Sequence, residues 1–96
     1  MGLIETKNLI IGEWQFADGR KIKFVNQDRY ILTIETGESM DSPYFLTAND
    51  NLIKLSLPFL MSPVCIIESI DNNELIYKEY AIDNTFARVT LRKIDQ

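Results

Sequence analysis

Apolar and polar residues alternate one by one in short runs from Ile10 to Ile94, and small polar turns divide the runs. A period of two is the mark of a strand with one face buried and one face wet. Repeated run after run, it demands an antiparallel sheet that finds cover for its apolar face. Ile10, Gly12, Trp14 and Phe16 share one face of the first run, with Glu13 and Gln15 on the other. Asp18-Gly19 is a hairpin turn. Ile22 and Phe24 alternate with Lys21, Lys23 and Val25, and Asn26-Gln27-Asp28 turns the chain again. Tyr30, Leu32 and Ile34 then alternate with Ile31, Thr33 and Glu35. Thr36 to Ser42 reads as a longer polar loop that carries Gly37 and ends at Pro43. A short strand from Tyr44 to Thr47 leads into the turn Ala48-Asn49-Asp50-Asn51, and Ile53, Leu55 and Leu57 alternate with Lys54 and Ser56.

Pro58 and Pro63 bound a segment that breaks the pattern, and a central strand does not accept such residues. Its middle, Phe59-Leu60-Met61, is apolar, unlike the other connections. Val64 to Ile70 resumes the sheet, with Ile67 and Ile70 out of phase, which predicts a bulge or burial on both faces. After Asp71-Asn72-Asn73 come the last strands, Leu75 to Tyr80 and Thr85 to Ile94. Ala87, Val89 and Leu91 share a face there, and simple alternation puts Arg92 on the opposite one. The total is about eight strands at the spacing of a sandwich or barrel. Sandwiches need long crossovers, whereas these connections are hairpin-length. The expected fold is all-β: a single antiparallel up-and-down meander closed into a small barrel over residues 10–96, after an N-terminal segment, 1–9, with at most a helical turn in Leu3–Leu9. Closure removes the sheet edges that invite aggregation.

Composition removes several chemistries. The chain has 96 residues and no histidine, so Ser-His and Cys-His catalysis and histidine-ligated metals are excluded. It has one cysteine, Cys65, between Val64 and Ile66; this reads as a buried small hydrophobe and calls for no oxidising compartment. With no leader pattern, the expected location is cytoplasmic. Gly2 and Thr6 match the short myristoylation pattern, which we read as chance. Net charge is −4, and the basic residues Arg20, Lys21, Lys23, Arg88, Arg92 and Lys93 are dispersed, so nucleic acid is not an expected partner. No segment has the length of a membrane span. Asp18, Asp28, Asp41, Asp50, Asp71 and Asp83 sit at turns, where aspartate bonds nearby amides. Asn49-Asp50-Asn51 lacks the remainder of a calcium loop, and there is no phosphate loop, CxxC or HExxH motif. No cofactor, metal or enzymatic activity is expected.

Gly12-Glu13-Trp14 resembles the G-x-W element on the first strand of lipocalins, and Arg92, within Leu91-Arg92-Lys93, resembles the basic residue of their last strand that packs across that tryptophan. Phe24 with Tyr30, the stretch Tyr44 to Leu55 and the stretch Ile67 to Tyr77 are similar to the compact bacterial lipocalin-like domains. The resemblance implies a barrel that binds a lipid or small molecule, with Gly12, Trp14 and Arg92 as structural residues.

Trp14 reads as a plug at one end of the barrel rather than a pocket wall. Tyr30, Tyr44 and Tyr77 are candidate ligand-binding residues, because their hydroxyls can orient a polar group in an otherwise apolar interior. Phe59, Leu60 and Met61 complete the candidate site, since apolar loop residues need cover from a barrel mouth, a second copy of the chain or a partner. Two functions follow. The first is a non-enzymatic barrel holding a small hydrophobic molecule. The second is a small acidic inhibitor, immunity or adaptor protein that acts by protein–protein contact, homodimerisation included. An eight-stranded barrel is just wide enough for either a solid interior or one small ligand.

Overall fold

The computed structural model describes residues 2–57 and 64–94. One short helix, α1 (Leu3–Leu9), precedes nine strands: β1 (Gly12–Gln15), β2 (Lys21–Phe24), β3 (Arg29–Thr33), β4 (Ser39–Pro43), β5 (Phe45–Asn49), β6 (Leu52–Ser56), β7 (Val64–Ile70), β8 (Glu74–Tyr80) and β9 (Phe86–Lys93). They form one sheet in the order β4-β3-β2-β1-β9-β8-β7-β6-β5, every neighbouring pair antiparallel. The first and last strands meet: Trp14 lies opposite Lys93, Gln15 lies opposite Arg92, and the Ile94 amide donates to the Glu13 carbonyl at 2.9 Å. The result is a nearly closed up-and-down barrel, compatible with the lipocalin-like architecture that the sequence resembles.

The polar stretch read as a loop contains β4, which pairs with β3 along its whole length. Its residues, Ser39-Met40-Asp41-Ser42-Pro43, carry almost no strand propensity, and only Ser42 is buried. Backbone pairing with β3 decides the matter, and Pro43, at the strand's end, forfeits no interior ladder bond. Only Tyr44 separates β4 from β5, and the alternation of the pairings makes both run in the same direction. They are two halves of one bent strand. Ser42, Tyr44 and Leu46 are buried while Pro43 and Phe45 are exposed, so the in–out alternation passes through the bend unbroken. The first half pairs with β3, the second with β6. Each half leaves one edge unpaired, which is why the barrel is only nearly closed.

Local chemistry sets the other boundaries. The hairpin after β1 closes with Phe16 donating to the Arg20 carbonyl at 2.9 Å; Gly19 takes φ +98°, and Asp18 Oδ1 accepts from the Arg20 amide at 3.0 Å. Asp50 and Asn51 both have positive φ, as a two-residue hairpin between β5 and β6 requires. The expected bulge is present in β7: the register with β8 slips between Ile67 and Ser69. The expected helical turn is α1, which packs against β5.

Inside lies one apolar core, with Ile10, Trp14, Ile22, Phe24, Leu55, Leu75 and Leu91 among its buried members. Phe24, Tyr30 and Tyr44 interlock: the Phe24 and Tyr44 rings meet edge-on at 4.8 Å, and the Tyr30 ring lies 6.2 Å from that of Phe24. Among the described residues, no helix is long and apolar enough to cross a membrane.

Candidate functional site

The two ends of the barrel differ. The turns 25–28, 50–51 and 71–73 lie at the lower end, with α1, the start of β1 and the end of β9. The turns 17–19, 34–38 and 81–85 lie at the upper end, with Leu57 and Val64. Phe59, Leu60 and Met61 lie outside the described residues.

Trp14 plugs the lower end. It is fully buried, and its indole N–H donates to the Ile10 carbonyl at 2.9 Å. The cation across its ring is Lys93, with Nζ 4.6 Å from the ring centroid and donating to the Ile11 carbonyl at 2.6 Å. Arg92 is exposed and faces outward, opposite Gln15 and Glu74. Strand parity decides between the two, because Leu91 and Lys93 share the inner face. The tryptophan–cation stack implied by the resemblance is therefore made one residue later than Arg92. Gly12 permits it: at φ +129°, a Cβ there would stand 2.5 Å from Lys93 Nζ. Burial pulls the Lys93 ammonium below the usual lysine range.

The candidate tyrosines are all inside, but not equivalent. Tyr30 and Tyr44 belong to the aromatic cluster, and the Tyr44 hydroxyl donates to the Asn26 carbonyl at 2.6 Å. Burial, with Asp28 adding, pushes the Tyr44 pKa up to about 12. The Tyr44 hydroxyl thereby ties the bent strand to the β2–β3 turn. Tyr77 is different. It is fully buried, and among the described residues its hydroxyl has no hydrogen-bond partner. Burial raises its pKa well above the ordinary value, with Cys65 and Glu79 adding and Arg20 opposing. Glu79 acts through its charge and through the approach of its carboxylate to the phenol, although no hydrogen bond of ordinary geometry joins the two.

Around that hydroxyl stand residues that sequence reasoning did not single out. Glu79 lies opposite Cys65 on one side and Ala87 on the other. Directly opposed residues share a face, and Cys65 is buried, so the half-buried Glu79 faces inward. The signal was present in the sequence: Leu75, Tyr77 and Glu79 alternate on one side of β8. Arg20 sits over the Phe16 ring at 4.4 Å, and its Nε donates to Asp18 Oδ2 at 2.8 Å. Burial pushes the Cys65 thiol up to about 12, with Glu79 adding, so it is held as an inert thiol. The upper interior thus brings together an unpartnered phenol, a carboxylate and apolar walls.

Two grooves lie elsewhere. One of about 430 Å³ borders Gly12, Lys23 and Lys93 at the lower end; the other, about 530 Å³, lies on the outer wall beside Leu52, Ile66 and Tyr80. Among the described residues, no cluster of three or more acidic or cysteine side chains could hold a metal. No protein-family model matches the chain, and no curated protein matches it either.

Proposed function

We propose that this chain is a non-enzymatic lipocalin-like barrel that holds a small, largely apolar molecule in its upper interior, with the molecule's polar end at Tyr77. One observation carries the reading: the Tyr77 hydroxyl is fully buried and, among the described residues, without a partner. An unsatisfied buried hydroxyl costs roughly 1–3 kcal/mol, and native interiors leave few of them. A ligand that supplies the missing partner recovers that cost. Burying its apolar body adds about 25 cal/mol per Å². The inertness of Cys65 and the engagement of Tyr44 support binding over chemistry.

Titration of the isotope-labelled protein with 1-octanol, followed by two-dimensional NMR, tests the proposal. Saturable shifts at the amides of Cys65, Tyr77 and Val89 are expected. No saturable shift, or shifts confined to the outer groove at Leu52, Ile66 and Tyr80, would overturn it. The second pattern would favour recognition by surface contact, because Leu52 and Phe45 are exposed on that wall.

A further inference from the structure

Among the described residues, the upper interior carries a carboxylate that no cation pairs with. Glu79 faces inward two residues above Tyr77, and its cross-strand neighbours, Cys65 and Ala87, are uncharged. Among the described residues no ion pair includes it. Arg20, the nearby cation, is already tied to Asp18 at 2.8 Å and stacked on Phe16. Glu68, by contrast, which faces outward from the β7 bulge, pairs with both Arg88 and Lys78. An inward-facing, half-buried carboxylate without a counter-ion attracts a cation.

We infer that the ligand's polar end is an ammonium, carried by a small apolar body. This rests on the interior-binding reading above and specifies its chemistry. An ammonium has three donors and no acceptor. One N–H donates to the Glu79 carboxylate and another to the Tyr77 oxygen, so a single group neutralises the charge and satisfies the phenol. A neutral hydroxyl partners Tyr77 but leaves the charge of Glu79 uncompensated. A fatty-acid carboxylate brings a second negative charge against Glu79, in a protein whose net charge is already −4.

Three probes of one chain length separate these cases: octylammonium, 1-octanol and octanoate, titrated near neutral pH against the wild-type protein and Glu79→Gln. The expected order on the wild type is octylammonium tighter than 1-octanol by about tenfold, with octanoate weakest. Glu79→Gln should abolish the amine's advantage over 1-octanol. Octanoate binding as tightly as octylammonium would overturn the inference while leaving interior binding standing. So would an amine preference that survives Glu79→Gln. If none of the three saturates, the binding proposal itself falls. Should Glu79→Gln fail to fold, the order of the three probes on the wild type decides the matter alone.

Discussion

Gly12→Ala tests whether the lower plug is one coupled unit. Three costs add. A side chain at φ +129° strains the backbone by about 1–2 kcal/mol. The new Cβ would lie 2.5 Å from Lys93 Nζ and 2.8 Å from its Cε, so the ammonium must move. Moving it breaks the 2.6 Å bond to the Ile11 carbonyl, a charged hydrogen bond of about 1.5–3 kcal/mol. It also lifts the cation from Trp14, for about 0.5–1 kcal/mol at this half-buried position. The sum is about 3–6 kcal/mol, with a fall in Tm of at least about 12 °C for a chain of this length. The assay is urea unfolding followed by the fluorescence of Trp14, the only tryptophan. In a Lys93→Ala background, Gly12→Ala should cost only the backbone strain, about 1–2 kcal/mol, because neither the ammonium nor its Cε is left to displace. Arg92→Ala, on the outer face, should cost under about 0.5 kcal/mol. If Gly12→Ala costs the same with and without Lys93, the coupling argued here does not exist.

Two further outcomes follow from the interior. Tyr77→Phe removes an unpaired hydroxyl and should leave stability unchanged or raise it by up to about 1 kcal/mol, whereas Tyr44→Phe should lower it by about 1 kcal/mol by orphaning the Asn26 carbonyl; thermal melts of both check this, and equal losses would refute the contrast. Stability should also fall at alkaline pH: the folded chain keeps the protons of Cys65 and Tyr44 to about 12, against ordinary values of 9.0 and 10.0. Between those limits the unfolded chain binds fewer protons, so their stabilisation is fully present below about pH 9 and each group then removes about 1.4 kcal/mol per pH unit. Tyr77 adds to the loss and Lys93, shifted downward, opposes it. Urea midpoints that stay flat from about pH 8 to pH 11 would contradict this.

Period-two patterning made most of the barrel legible, because each strand buries one face and each hairpin carries its own turn residues. Trp14, Ile22, Leu55 and Leu91 face inward as alternation requires, and the phase slip in β7 announced its bulge. Ser39–Pro43 stayed hidden because that segment is held by its partner's backbone and not by apolar side chains. The eight expected strands and the nine observed agree once β4 and β5 count as one bent strand. Lys93 was missed in favour of Arg92, although the parity of Ala87, Val89 and Leu91 points to residue 93. Glu79 was missed because a lone carboxylate in a strand looks like an ordinary solvated residue until its cross-strand neighbours are known.

The contact between β1 and β9 has a kinetic consequence. Every other strand pair links segments close in sequence and can zip from its own turn. Joining Trp14 to Lys93 instead requires nearly the whole polypeptide to form a single loop, at a large entropic cost repaid by few backbone bonds. Assembly is therefore expected to end where the chain's two extremities dock. Substitutions at that junction should chiefly speed unfolding, while changes inside the early hairpins should slow refolding.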